Sequence, residues 1–340
     1  MFEMPPMKPQ AALPWLAAAV LALTSASAQE AKTEPSGFQT LTVKGGNYSL
    51  IGINFLRPVL ASGSLESATA TSVTDAQGDF QTALPPGTRL WLELVDGVNQ
   101  GCWSIITPIG ATTLDTVSDL SAYVTAGVRY EIRAATTLAD IFGLNNEAGL
   151  KTGNSQTADM VWVPKENGGF DKLYYAAASP PFLTAGWRMI GAGNADMAKT
   201  PIYHVEGIII ERRAPGDLRL TVSGVVKTTV SVIPITSGFN YLERSYPLGA
   251  TLGNSGLATS LQSGTPTTAD VIWLTNASGG YDKYYYAVAQ PPSITAGWRA
   301  IGAGNADQAG VALTPGFIIE RKAAASNIKL APDSSLYGDL

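Results

Sequence analysis

The chain lacks most of what marks a catalytic or nucleic-acid-binding protein. Among 340 residues there is one cysteine, Cys102, and one histidine, His204. A single cysteine excludes an intrachain disulfide framework. One histidine and one distant cysteine do not make the ligand set of a zinc site. A Ser–His–Asp triad would have to rest on His204 alone, and no G-x-S-x-G elbow accompanies it. Charged residues are only 14% of the chain, the net charge is −5, and there is no Lys/Arg run. Nucleic acid is thereby excluded as an expected partner, because nothing can neutralise a row of phosphates. No cofactor motif is present. Beyond the first 28 residues, no apolar run approaches the roughly 20 residues that a helical membrane span requires.

What the chain has is glycine (35), proline (21) and an apolar fraction of 45%. That is too apolar for disorder, and the turn formers favour short strands over long helices. The first residues, "MFEMPPMKPQAALPWLAAAVLALTSASAQEA", place Lys8 before the apolar stretch Ala11–Leu23 and the small-x-small site Ala26-Ser27-Ala28. This is the pattern of a secretory signal peptide cut after Ala28. The expected mature protein starts at Gln29, without a membrane span, in the periplasm or outside the cell.

One stretch occurs twice. Thr157–Lys199 and Thr268–Gly310 share about 27 of 43 positions without a gap, at a shift of 111 residues, including "TAGWR" and "IGAGNAD". A fainter match extends upstream, Leu138–Gly143 against Leu248–Gly253. Such a period suits tandem small domains rather than a solenoid. Within each copy, apolar runs around a Gly-Gly turn read as a hairpin, and a Pro-Pro pair interrupts the pairing. The expected fold is all-β: tandem small β-barrel or β-sandwich domains with a separate N-terminal β unit. The boundaries read as signal peptide 1–28, N-terminal β unit 29–136, repeat domains 137–230 and 231–330, and a tail 331–340. Thr42-Val43-Lys44-Gly45 resembles Thr221-Val222-Ser223-Gly224, which hints that part of a repeat has a counterpart near the mature N-terminus.

The order of "LWLELVDGVNQGCWSI", "YEIRAATTLADIFG", "GGFDKLYY" and "GWR" resembles an uncharacterised family of secreted proteins from verrucomicrobial bacteria. The resemblance implies secretion and an all-β fold. It carries no assigned activity and therefore no catalytic residue.

Several residues are candidates for chemistry. Asp159, Asp171, Asp196 and Glu211 recur as Asp270, Asp282, Asp307 and Glu320, and paired carboxylates are what a glycosidase needs. Asn194 with Asp196, and Asn305 with Asp307, offer oxygen ligands for calcium, though too few for a full shell. The repeated aromatics are the most distinctive feature. Tyr174, Tyr175 and Trp187, with Tyr285, Tyr286 and Trp298, form the candidate binding set, since an exposed ring on a sheet can stack on a sugar. The competing reading makes Trp187 and Trp298 core plugs. The matches to glycosylation acceptors at Asn47 and Asn276 read as chance. The expected function is that of an exported, non-enzymatic structural or adhesive protein of the envelope or cell exterior. The alternative is bivalent carbohydrate binding, with polysaccharide or other envelope components as partners.

Overall fold

The computed structural model describes residues 34–165, 168–292 and 294–338. The expected signal peptide and its cleavage site lie outside the described residues. The protein is all-β, with four short helices among the described residues. None of those helices is long and apolar enough to cross a membrane. From Glu34 onward the chain forms one compact unit.

Two five-stranded antiparallel sheets have the same strand order. The first runs Gly186–Met189, Phe170–Ala176, Met160–Pro164, Ile208–Glu211, Tyr48–Ile51. The second runs Gly297–Ala300, Tyr281–Ala287, Val271–Thr275, Gly316–Arg321, Gly238–Glu243. Each sheet has an accompanying two-stranded antiparallel pair, Ser36–Val43 with Leu218–Val225 and Ser231–Ile235 with Ser326–Leu330. Each set of strands closes over its own apolar core, one around Trp187 and Phe142, the other around Trp298 and Phe317.

This arrangement redraws two expected boundaries. Strands Ser36–Val43 and Tyr48–Ile51 belong to the first module rather than to a separate unit ending at 136, because their ladder partners are Leu218–Val225 and Ile208–Glu211. The intervening strands, from Val59 to Ala134, form a curved seven-stranded half-barrel with its own core of Leu65, Phe80, Leu92, Leu114 and Ile132. The half-barrel is therefore an insertion within the chain of the first module. Likewise, the expected tail 331–340 contributes to the second module: Tyr337 is buried in its core against Tyr246, with ring centroids 5.8 Å apart.

The strand Leu90–Leu94 shows how the insertion is held. It is buried at every position. With a side-chain period of two, its leucines fill the half-barrel while Trp91 and Glu93 face the opposite way. Trp91 joins Leu56, Ala135 and Val225 in a small core at the junction. Glu93 pairs with Lys227, which lies just after the first module, and both side chains are buried. Arg133 adds hydrogen bonds to Glu131, Glu34 and the Arg57 carbonyl.

The two modules meet through equivalent segments. Gly207 N donates to Tyr241 O (3.1 Å) and Glu243 N to Val205 O (3.2 Å). On the other side, a Cβ on Gly52 would sit 2.2 Å from Pro315 O, and Gly316 lies so close to the Ile51 backbone that a Cβ would sit 2.8 Å from it. Segments 205–207 and 314–316 are counterparts, so the contact is approximately reciprocal, as in a two-fold dimer interface.

Candidate functional site

The "TAGWR" stretch builds an interior, not a surface. Trp187 is 0% and Trp298 2% exposed. Each packs edge-on against the tyrosine opposite it, Tyr175 and Tyr286, with 5.4 Å between centroids and 84° between planes in both modules. The following arginine curls back to tie its own turn. Arg188 donates to the Trp187 and Thr184 carbonyls (2.8 and 3.0 Å), and Arg299 to those of Trp298 and Thr295 (2.7 and 2.9 Å). Gly186 and Gly297 leave room for this, since a Cβ on either would lie 2.9 Å from the guanidinium. The repeated stretch of the sequence is thus a self-contained packing motif. Tyr175 and Tyr285 are buried as well, while Tyr174 and Tyr286 are half-buried. Sugar stacking at Trp187 and Trp298 is excluded by enclosure.

The repeated carboxylates are also engaged in structure. Asp159 is fully buried and accepts from Lys151 N, Arg213 N and Ala214 N and from the Arg212 guanidinium (2.6 Å). Asp270 repeats this with Gln262 N, Lys322 N and the Arg321 guanidinium. Asp171 pairs with Lys165 at 3.4 Å. Asp196 and Asp307 accept from Ala198 N and Ala309 N two residues on, which closes the turn after Gly-x-Gly. Among the described residues no group of three or more His, Cys, Asp or Glu side chains is placed to hold a metal.

His204 lies in the junction core. Its ring stacks on Trp91 at 3.9 Å and meets the edge of Trp103 at 4.9 Å. Burial, with Lys227 and Arg133 nearby, holds it well below the usual histidine range, so it is neutral at pH 7. The Cys102 thiol is buried and pushed up by burial, away from reactivity.

The exposed repeated aromatics lie elsewhere. On the outer face of each sheet a tryptophan donates its N–H to a glutamate and lies under a lysine. Trp162 bonds Glu211 Oε2 at 3.2 Å beneath Lys172, whose Nζ is 3.7 Å from the ring centroid. Trp273 bonds Glu320 Oε2 at 3.2 Å beneath Lys283, again at 3.7 Å. The lysine covers the indole face, so the tryptophan is a buttress rather than a platform. The ring it supports is Tyr48 in the first module (55% exposed) and Phe239 in the second (53% exposed). Both meet the indole edge-on, at 5.7 Å and 85° and at 5.5 Å and 87°. Tyr48 and Phe239 occupy the same register position, opposite Glu211 and Glu320. Neither ring stands among the candidate residues that the sequence pattern marks. Their only trace was Tyr48 inside an acceptor-like triplet, and a Phe following the turn that opens the second module.

Phe239 also lines a cleft of about 440 Å³ where the half-barrel and the two modules converge. Trp103 comes from the half-barrel, Phe170 and Tyr203 from the first module, and Tyr241 from the second. Phe170 packs on Tyr241 with 4.8 Å between centroids, and Trp103 on Tyr203 with 5.8 Å. Glu206 brings a carboxylate to the rim, one oxygen of which accepts from Tyr203 N at 2.9 Å. Comparison of the chain with protein-family models, with curated proteins and with solved structures finds no match.

Proposed function

We propose that this is an exported, non-enzymatic adhesive protein that holds polysaccharide through two equivalent aromatic platforms, Tyr48 and Phe239. One observation carries the reading: two half-exposed rings at the same register position of two modules, each fixed by a Trp–Glu–Lys set. A ring held in place loses little freedom on stacking, so it is pre-organised for a flat apolar sugar face. Two such rings on one chain add effective concentration on a polymer. The engagement of Asp159 and Asp270 by backbone N–H groups and arginine supports adhesion over hydrolysis. The signal-like leader and the resemblance to a secreted verrucomicrobial family support export to the periplasm or cell exterior.

The test is retention on insoluble glycans. Wild-type protein is expected to be retained by at least one. Tyr48→Ala should weaken retention by about 10²-fold, the low end of the gain expected from bivalency, and Tyr48→Ala/Phe239→Ala should abolish it. Wild-type protein that passes through every glycan unretained would refute the proposal.

A further inference from the structure

We infer that the cleft between the half-barrel and the two modules is a third binding site, which receives a single short saccharide end or branch of the polymer. The inference rests on the polysaccharide reading above and adds a site that shares Phe239 with one platform and is otherwise separate from both. Its volume, about 440 Å³, is toward the low end of small-molecule clefts, roughly 300 to 1,000 Å³. It has room for one or two sugar rings but not for a polymer threaded along its length.

The lining has the character of a sugar site. Trp103, Phe170, Tyr203, Phe239 and Tyr241 provide apolar ring faces, and Glu206 and Lys165 bring one charge of each sign. Among the described lining residues the charges therefore balance, which matches a neutral polyol better than an ion of either sign. The Glu206 carboxylate can accept from sugar hydroxyls, and the Lys165 ammonium, shared with Asp171 at 3.4 Å, can donate to them. The walls are set in advance. Trp103 is braced by Trp91 (6.3 Å) and His204, and Tyr241 by Phe170. Asn240 bonds to backbone groups and the Thr236 side chain, and so holds the strand that carries Phe239 and Tyr241. The half-barrel thus has a role beyond filling space: it walls the groove beside Phe239.

The experiment is saturation-transfer NMR on the full chain with methyl pyranosides of glucose, galactose, mannose and N-acetylglucosamine, and with tetramethylammonium as the cationic probe. A saturable signal from at least one pyranoside is expected, with Kd around 1 mM, the affinity of a single small contact set. Val117→Trp fills the cleft from a side chain that is exposed in the wild type, so it should fold normally. It and Tyr241→Ala should each weaken pyranoside binding by ~10-fold or more, about 1.4 kcal/mol. Val98→Ala, at an exposed side chain that lines neither the cleft nor a platform, should leave it unchanged. Three results would overturn the inference: no saturable pyranoside signal, a signal unchanged by Val117→Trp, or preference for tetramethylammonium. If polymer retention persists while pyranosides fail to bind, the cleft site falls and the two-platform reading stands. If retention itself is absent but pyranosides bind in the cleft, the platform reading falls instead.

Discussion

The two modules share a polar frame and differ in what that frame is asked to hold. In both, a buried aspartate gathers an arginine and backbone N–H groups, a tryptophan plugs the sheet, and an arginine ties the turn behind it. The first module differs in accommodating a whole half-barrel between Ile51 and Thr136, where the second passes from Glu243 to Thr251 in a few residues. The insertion leaves the frame untouched. What changes is at its margins: the Trp187 N–H donates to Gly143 O at 2.9 Å, whereas the Trp298 N–H is buried without an acceptor among the described residues. At the module contact, Gly52 of the first corresponds to Glu243 of the second, whose Oε2 accepts from Ile53 N and Asn54 N. The lesson is that the interior polar clamps define the module and the contacts around it are free to diverge.

The largest expected effect tests the shared part. Asp159→Ala and Asp270→Ala each strand a buried arginine and several N–H groups, and each should cost about 3–5 kcal/mol in denaturant unfolding. A clear inequality between them would mean that the two frames are not equivalent. Next comes a contrast at Glu243, which has no acidic counterpart in the first module. Burial raises its carboxyl to about 8 from 4.5, with Glu206 adding to the rise and Arg244 and the two backbone donors opposing it. A pKa higher in the folded than in the unfolded chain gives stability that is complete below pH 4.5 and is lost as pH rises toward 8. Stability of the wild type should therefore decline across that window relative to Glu243→Gln, as read from chemical denaturation at each pH. Parallel curves for the two proteins would remove Glu243 from the account. His204 titrates in both proteins alike and cancels in the difference. The smallest effect separates the two tryptophans. Trp187→Phe loses a hydrogen bond and Trp298→Phe does not, so the first should cost about 1 kcal/mol more. Equal costs would mean that the Gly143 bond contributes nothing.

Much of the frame was legible because it is local. "TAGWR" contains the glycine, the indole and the arginine that contact one another within five residues, and Gly-x-Gly announces the turn through its positive φ at Gly191, Gly193, Gly302 and Gly304. The capping boxes were harder. Thr137 with Asp140 and Thr251 with Asn254 cap equivalent turns, and Leu138 N and Leu252 N reach the equivalent carbonyls of Thr200 and Val311. The true register there is a shift of 114, and the chance resemblance of Leu138–Gly143 to Leu248–Gly253 concealed it. Thr42-Val43 and Thr221–Gly224, which resemble each other, lie on two strands that pair with each other, so the resemblance does not mark equivalent positions of two copies. The platforms were not legible at all. Tyr48 and Phe239 stand on edge positions whose neighbours in sequence differ, and their meaning depends on strands that pair only across long separations. Period-two patterning marks a strand without naming its partner.

The placement of the insertion also sets an order of assembly. All seven strands of the half-barrel have emerged once residue 134 is made, and their pairing is comparatively local, so this sheet can form early. The strand Ser36–Val43, made before it, has its ladder partner at Leu218–Val225 and must wait for it. A chain made from its N-terminus therefore carries an unpaired edge throughout the synthesis of everything between, and that edge is the segment most in need of a chaperone before the first module closes.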